Sequence, residues 1–260
     1  MNKFENQIIC GDCLDVMPDL PDGCADMILA DVPYGTTACK WDTVIPLEPM
    51  WEQLKRIIKP NGAIVMTASQ PFTTTLIASN MKMFKYCWVW DKVSKGDIMN
   101  AKNKPLKQHE DICIFSSGTT ANRSKRKMPY FPIGISKNLR SINRQNRQEG
   151  AFKGLRPSHA EEYKRQFTGY PSSILTISNA DHTQIKHQTQ KPVALIEYLI
   201  KTYTNEGELV LDFTCGSGTT CKAAQNLGRR FIGIDISPEY CQITKDRLRE
   251  VDTGQRVLFA

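Results

Sequence analysis

Residues 209–235 read LVLDFTCGSGTTCKAAQNLGRRFIGID, and this stretch decides the fold. An apolar run ends at Asp212, a turn with Gly216 and Gly218 follows, and a helical segment leads to a second apolar run that ends at Asp235. Glycines before a helix let the backbone approach a ligand closely at the helix N-terminus. A carboxylate about twenty residues further on suits the two hydroxyls of a ribose. The stretch therefore predicts a strand–loop–helix–strand unit that binds a nucleoside.

Two common nucleotide-binding loops fit this stretch poorly. A P-loop has a lysine before its Ser/Thr, whereas this loop continues with Thr219 and Thr220. A dinucleotide loop has a third glycine at the position of Cys221. A short Gly-x-Gly loop after an acidic residue instead resembles the S-adenosylmethionine loop of Rossmann-like methyltransferases. A glycine turn without a ligand is the alternative.

Short apolar runs alternate with amphipathic segments outside a long polar stretch, 116–184. Strands that alternate with helices of about ten residues imply a mainly parallel sheet with helices on both faces. We therefore predict an α/β fold. The predicted strands are 7–10, 25–30, 63–67, 86–90, 111–115, 209–211 and 231–234, with a turn at 59–62 and a polar loop between 90 and 111. The predicted helices are 49–58, 72–81, 192–203, 219–227 and 238–251.

A second motif, Asp31-Val32-Pro33-Tyr34, follows the apolar run 25–30. Alone it could be a strand-end carboxylate before a proline turn. With the glycine loop downstream it resembles the (D/N/S)-P-P-Y signature of the amino-methyltransferases of DNA. Here the tetrad lies near the N-terminus and the loop near the C-terminus, with a basic segment and HQTQKP (187–192) between them. That order resembles the circularly permuted beta class, and the resemblance covers nearly the whole chain.

The resemblance implies methyl transfer from S-adenosylmethionine to the N6 amine of adenine in a specific DNA sequence. Asp31 and the carbonyl of Val32 would accept the amine hydrogens, Pro33 would fix the backbone, and Tyr34 would stack on a flipped base. Val32 departs from the usual first proline but keeps the carbonyl. The leading Asp favours adenine, because cytosine-N4 enzymes of this family more often begin with Ser. Cytosine N4 methylation and an inactive DNA-binding protein of the same fold are the alternatives.

The resemblance also implies which residues hold the cofactor. Asp12 matches an acidic position near the adenine, although it could simply cap a helix. Lys191 lies in the segment near the methionine end, although it could be a solvated residue at a helix start. Phe213 and Thr214 stand where the family often has Pro-Phe. The expected cofactor-binding residues are Asp12, Thr189, Lys191, Asp212, Phe213, Thr214, Cys215, Gly216, Ser217, Gly218 and Asp235.

The positive charge of the chain is concentrated in one segment. Residues 117–170 contain twelve Lys or Arg and three Glu, a net charge of +9, so the rest of the chain carries −2 of the overall +7. Cations interleaved with aromatic residues suit phosphate contact and base stacking, although a solvated loop is the alternative. Trp41, Asp42 and the stretch 92–107 are further candidates for contact with DNA. The expected DNA-binding residues are Lys125, Arg126, Lys127, Arg140, Arg144, Arg147 and Arg156.

These features predict one domain in three segments: a catalytic half (1–116), an inserted target-recognition region (117–185) and a cofactor-binding half (186–260).

No apolar run is long enough to span a bilayer and the first residues lack a signal sequence, so we expect a location in bacterial cytoplasm or a phage-infected cell. Nine scattered cysteines suggest reduced thiols, and no metal site is expected because Cys10 and Cys13 lack a second ligand pair. Double-stranded DNA is the expected partner, while a homodimer and a cognate restriction endonuclease remain open.

Overall fold

The structure is a computed structural model that describes residues 3–36, 42–137, 142–143, 162–163, 166–179 and 190–249. The chain forms two compact units, one of Met1–Phe131 with Ser173–Ala260 and one of Pro132–Ser172. The described strands are β1 Gln7–Cys10, β2 Ala25–Ala30, β3 Ile58–Ala68, β4 Phe84–Gly96, β5 Lys107–Phe115, β6 Ser136–Lys137, β7 Ile142–Asn143, β8 Glu162–Tyr163, β9 Phe167–Thr168, β10 Ile174–Thr176, β11 Leu209–Asp212 and β12 Arg230–Asp235. The described α-helices are α1 Cys13–Val16, α2 Leu47–Ile57, α3 Phe72–Ser79, α4 Val193–Tyr203, α5 Thr219–Asn226 and α6 Pro238–Arg249.

The larger unit is built on an eight-stranded sheet in the order β1-β12-β11-β2-β3-β5-β4-β10. Only β5 runs antiparallel to its neighbours among the described strands of this sheet. In the middle, β11 pairs with β2 in parallel, with Leu211 opposite Ile28. The strand before the glycine loop and the strand before the tetrad therefore lie side by side. Their carboxyl ends meet at one edge of the sheet.

The core lies on both faces of this sheet, because successive side chains of a strand point to opposite faces. In β2, Ile28 packs in one buried cluster with Trp51 and Leu54 of α2. Its neighbour Leu29 packs in the other cluster with Leu199 of α4. Helices cover both faces, as the strand–helix alternation predicts.

Two sequence predictions about local structure are wrong. Residues 59–62, predicted as a turn, belong to β3, where a register shift against β2 accommodates them. Half of the polar loop predicted between 90 and 111 is strand, because β4 extends to Gly96 and β5 begins at Lys107. Antiparallel pairing supplies the backbone hydrogen bonds in both arms, and polar side chains on an exposed hairpin give no apolar pattern to detect.

The smaller unit, Pro132–Ser172, contains two antiparallel pairs of two-residue strands, β6 with β9 and β7 with β8. Gly134 and Gly169 both have positive φ. A Cβ at Gly169 would lie 2.5 Å from the carbonyl oxygen of Gly134, so the close approach of these two turns requires glycine.

The eight described cysteines are free, and Cys13, Cys113, Cys215, Cys221 and Cys241 are buried. Within the described ranges, no three or more His, Cys, Asp or Glu side chains are grouped so that they could hold a metal ion. None of the helices in that part of the chain has the length and apolar character needed to cross a bilayer.

Candidate active site

The candidate site lies where the carboxyl ends of four strands meet. Asp31 directly follows β2, Thr67 is the penultimate residue of β3, Asp212 ends β11 and Asp235 ends β12. In open α/β sheets the crevice outside the carboxyl ends of the strands is where ligands bind. The antiparallel strand β5 begins at the same edge, so Glu110 also lies there.

Asp31 is held by three donors. Its Oδ1 accepts hydrogen bonds from the hydroxyl of Tyr34, at 2.7 Å, and from the hydroxyl of Thr67. Its Oδ2 lies 2.6 Å from the ammonium Nζ of Lys191. Burial favours the neutral acid, but Lys191 and the two hydroxyls outweigh it, so the pKa of Asp31 lies below its usual value. The carboxylate is therefore ionised at neutral pH.

Lys191 touches a second carboxylate. Its side chain is only 11% exposed, and Nζ lies 3.5 Å from Oε2 of Glu110. The other oxygen of Glu110 pairs with Lys92 at 3.1 Å. Burial would lower the pKa of Lys191, but Asp31 and Glu110 raise it above its usual value, so this lysine stays charged. The structure thus places the ammonium on the tetrad.

The rest of the tetrad is tightly packed. The ring of Tyr34 stacks on Phe72 with centroids 5.4 Å apart, so one face of the ring is covered. Val32 is 3% exposed and packs in the core. Asp42 accepts hydrogen bonds from the backbone N–H groups of Gly35 and Thr36, both at 2.8 Å, and so fixes the turn after the tetrad. Asp42, predicted as a DNA contact, is buried, and Trp41 lies outside the described residues.

The glycine loop is hydrogen-bonded to the end of β12. The N–H of Gly216 donates to Oδ2 of Asp235 at 2.7 Å, and the N–H of Ser237 donates to Oδ1 of the same carboxylate at 2.9 Å. Gly216 has φ +51°, and a Cβ added there would meet nothing within 4 Å. Gly218 has φ +78°, and a Cβ there would lie 2.3 Å from Thr244. Gly216 therefore borders open space, whereas the packing of Thr244 requires glycine at position 218.

Helix α6 supports this loop from behind. The hydroxyl of Thr244 donates to the carbonyl of Gly216 at 2.8 Å, and the buried guanidinium of Arg247 donates to the carbonyl of Ser217 at 3.1 Å. Sequence reasoning missed both residues. Their signal is weak: two polar side chains one turn apart on the buried face of an otherwise polar helix.

Asp212 is a buried carboxyl group beside the loop. Burial raises its pKa to about 7, against the opposing hydrogen bond of Thr220. A buried acid of this kind is ionised most readily when a cation lies beside it, and S-adenosylmethionine carries a sulfonium and an ammonium. The hydroxyl of Thr214 donates to the backbone carbonyl of Asp31 at 3.3 Å, which joins the loop to the tetrad. The open space at Gly216 and the buried acid together fit this cofactor.

The structure places the remaining predicted cofactor residues in different surroundings. Phe213 and Cys215 are buried in the core. Asp12 caps α1 by accepting from the N–H of Leu14 at 2.8 Å. It follows β1, whose last residue, Cys10, pairs with Asp235. Thr189 lies outside the described residues.

Thr67, Lys92 and Glu110 complete the surroundings of Asp31. Sequence reasoning missed Thr67 and Glu110, and it named Lys92 only as a candidate for contact with DNA, whereas the structure pairs Lys92 with Glu110. The only available signal is polar residues at the ends of apolar strands, and this does not indicate which strand ends meet. Among the predicted DNA-binding residues, Lys125, Arg126 and Lys127 are exposed in the larger unit. Arg140, Arg144, Arg147 and Arg156 lie outside the described residues.

A sheet of this order with a glycine loop and an acidic tetrad at its carboxyl edge defines an S-adenosylmethionine-dependent methyltransferase. A family model described as DNA methylase matches residues 25–246. The chain therefore belongs to this DNA methylase family. The sequence predictions of a Rossmann-like fold, of S-adenosylmethionine as cofactor and of DNA methyltransferase activity are confirmed.

Individual relatives agree with this assignment. The Type II methyltransferase M.HpaI of Haemophilus parainfluenzae is 26% identical over 260 residues, which cover 94% of this chain and 74% of that protein. The crystal structure of the M1.HpyAVI–SAM complex is similar with a TM-score of 0.60 and 26% identity over 93% of this chain and 99% of that one. The cytosine-N4-specific PvuII DNA methyltransferase shares the fold, with a TM-score of 0.64 and 15% identity over 96% of this chain and 87% of that one.

Proposed function

We propose that this methyltransferase modifies the N6 amine of adenine within one specific DNA sequence. The observation that carries the proposal is the ionised carboxylate of Asp31, joined through Thr214 to the glycine loop at one edge of the sheet. An Asp at the head of the tetrad favours adenine. Cytosine N4 is the alternative, because a cytosine-N4-specific enzyme has the same fold and the fold does not decide the base.

The exocyclic amine of adenine is a poor nucleophile because its lone pair is delocalised into the ring. Asp31 and the carbonyl of Val32 accept its two hydrogens, which favours a pyramidal nitrogen with a localised lone pair. The carboxylate also stabilises the positive charge that develops on this nitrogen. S-adenosylmethionine, when bound, supplies an electrophilic methyl group. Tyr34 would stack on the base with the face that Phe72 does not cover, and the base must first leave the duplex.

The cofactor would be held by residues on both sides of the glycine loop. Asp235 would bind the ribose, because each of its oxygens accepts one backbone N–H and has capacity for another donor. Ile236, 67% exposed beside it, suits contact with the adenine ring. Asp212 would lie near a cationic group of the cofactor. Asp12 remains a candidate for contact with the adenine end of the cofactor, and Lys191 for contact with its methionine end.

Digestion of methylated DNA tests the choice of base. The protein is incubated with methyl-labelled S-adenosylmethionine and duplex DNA, and the product is digested to nucleosides. We expect the label in N6-methyl-2′-deoxyadenosine. Label in N4-methyl-2′-deoxycytidine would overturn the assignment of the base, and the absence of label from DNA would overturn the proposed activity.

Cofactor affinity should depend on pH through Asp212. A cation beside this carboxylate favours its ionised form, so the affinity falls when the pH drops below the pKa of about 7 and levels off above it. With that pKa, we expect the dissociation constant of S-adenosylmethionine to be about tenfold higher at about pH 6 than at about pH 8. Calorimetric titration at the two pH values measures this. Asp212→Asn should flatten the dependence, and a flat profile in the unaltered protein would contradict the role of Asp212.

The β4–β5 hairpin is the surface that we propose to contact DNA in the larger unit. Because β4 ends and β5 begins at the carboxyl edge, the hairpin loop extends from the same edge as Asp31. Ile98 and Met99 near its tip are 72% and 98% exposed. Lysines suit phosphate contact, and exposed apolar side chains suit the gap left by a flipped base. The exposed lysines of the hairpin are Lys95, Lys102, Lys104 and Lys107.

Charge reversal of the hairpin should weaken DNA binding. Lys95→Glu with Lys102→Glu removes two phosphate contacts, so the slope of log affinity against log salt should become shallower by about 2. Lys55→Glu with Lys82→Glu is the matched control, because these exposed lysines lie near the opposite edge of the sheet. Fluorescence anisotropy over a salt series measures both. Equal slopes for the two double variants would show that the hairpin does not contact DNA.

We also propose the arrangements that the resemblance implies. The order of tetrad and cofactor loop suits the circularly permuted class, and segment 117–185 suits target recognition. A location in bacterial cytoplasm or a phage-infected cell, a homodimer and a cognate restriction endonuclease belong to the same proposal. Relatives named as Type II methyltransferases support it.

A further inference from the structure

Lys191 lies beside the position that the target amine needs. Oδ1 of Asp31 already accepts from two hydroxyl groups, those of Tyr34 and Thr67. A carboxylate oxygen has about two acceptor sites, so Oδ1 has no further capacity. The remaining oxygen, Oδ2, holds the Lys191 ammonium at 2.6 Å. Oδ2 has one acceptor site left for an incoming amine, but that site lies beside the ammonium. The positive charge that develops on the amine during methyl transfer is repelled by this ammonium, so the reaction is favoured when Lys191 moves away.

A second acceptor for Lys191 lies next to the first. Oε2 of Glu110 is buried and receives no hydrogen bond from any described residue. It lies 3.5 Å from Nζ of Lys191, so a shift of roughly 0.7 Å gives an ordinary hydrogen bond. Leaving a buried ammonium without a carboxylate would be costly, and Glu110 removes that cost.

Glu110 is well fixed for this role. It lies on β5 opposite Trp90 of β4, and its other oxygen is held by Lys92 at 3.1 Å. The side chain is 13% exposed. The sheet and Lys92 therefore hold the carboxylate in place, while the long side chain of Lys191 can move between the two acceptors.

We propose that Glu110 is a positioning residue that receives the Lys191 ammonium when the target amine displaces it from Asp31. Lys191 stays protonated throughout, and no covalent bond changes. Before DNA arrives, the Lys191 ammonium neutralises the buried carboxylate of Asp31. Once the base has entered, the ammonium moves to Glu110, and Oδ2 of Asp31 is open to the amine. This inference rests on the proposed function, because it assumes that Asp31 binds the amine.

Glu110→Gln tests the proposal because it keeps the shape and removes the charge. Lys191 then has Asp31 as its one carboxylate partner and stays there. The state in which Lys191 has left Asp31 is therefore less populated, which should lower kcat about tenfold near neutral pH. Cofactor affinity should not change. Asp111→Asn is the matched control, because this neighbouring acid on β5 accepts from the hydroxyl of Thr73 and should retain kcat.

The pH profile separates this role from a structural one. With one carboxylate removed the pKa of Lys191 falls, so kcat of Glu110→Gln should rise between neutral and alkaline pH as the lysine becomes neutral. The unaltered protein should be flat over this range, since Asp31 and Glu110 hold the pKa of Lys191 above its usual value. The other ionisable groups around the pair are Tyr34, Lys92 and Lys107.

A double variant removes the ambiguity about which lysine titrates. In a Lys191→Met background the amine has no competitor, so adding Glu110→Gln should change kcat less than about twofold and the rise with pH should vanish. A rise that persists there would show that a group other than Lys191 is responsible and would overturn the proposal. The proposal would also be overturned if kcat of Glu110→Gln fell by the same factor at every pH, or if this variant kept full activity. Both outcomes can be measured even if the double variant does not fold. Activity in Asp31→Asn would instead overturn the proposed function.

Discussion

Replacing Asp31 by Asn should lower kcat for methyl transfer by about 100- to 1,000-fold, because the substitution removes the negative charge that stabilises the developing cation. The amide keeps the size of the side chain. It carries no negative charge to pair with Lys191 or to stabilise the amine. Single-turnover measurement with labelled cofactor and duplex DNA reports the chemical step directly.

Cofactor binding should survive this substitution. The link between tetrad and loop runs from the hydroxyl of Thr214 to the backbone carbonyl of Asp31, which Asn retains. We expect the dissociation constant of S-adenosylmethionine to change by less than about threefold. Asp15→Asn, an exposed acid on α1, is the control and should keep full activity. Appreciable turnover by Asp31→Asn would remove Asp31 from the mechanism.

Replacing Gly216 by Ala should raise the dissociation constant of S-adenosylmethionine by about 10- to 100-fold. The added methyl enters the open space beside the loop, next to the N–H that binds Asp235. Crowding of this size in a packed site costs about 1–3 kcal/mol, which corresponds to the expected change in affinity. Calorimetric titration measures it.

Gly207→Ala separates this effect from backbone strain. Gly207 also has positive φ, +79°, and a Cβ there would likewise meet nothing within 4 Å. Both variants should therefore lose similar stability in a thermal melt, roughly 1 kcal/mol for an alanine in the left-handed region. Only Gly216→Ala should lose cofactor affinity. Equal affinities in the two variants would show that the space at Gly216 does not hold the cofactor.

The α/β architecture and the two motifs that form the site could be predicted from the sequence because each depends on residues that are close together in the chain. The strand and helix pattern is periodic, and the loop 212–218 and the tetrad 31–34 are contiguous. Their adjacency could not be derived from periodicity, because it depends on β11 pairing with β2 across 180 residues of chain. The resemblance to a known family supplied that step.

The surroundings of Asp31 were not predictable for a different reason. Thr67, Glu110 and Lys92 come from three strands. Thr67 is a polar residue near the end of an apolar strand, whereas Glu110 and Lys92 lie among other polar residues of β5 and β4. Whether such residues meet depends on strand order and register, which one sequence does not show. Asp42 was misjudged because a buried carboxylate that fixes a turn has the same local sequence as an exposed one.

Val32 is explained by the structure. The resemblance places a proline at this position, and the chemistry needs only its carbonyl. The valine side chain is 3% exposed and packs in the core with residues of α2. Packing can therefore hold the backbone of the tetrad where the family usually has a second proline ring.

Mapping modified bases in DNA from cells that express the protein tests the central claim most directly, because it reports the base and the recognised sequence together. DNA from cells with the unaltered protein should carry N6-methyladenine at nearly every copy of one short sequence. DNA from cells with Asp31→Asn, expressed to the same level, should carry it at far fewer copies. N4-methylcytosine, no modification at all, or an equal signal from Asp31→Asn would contradict the account.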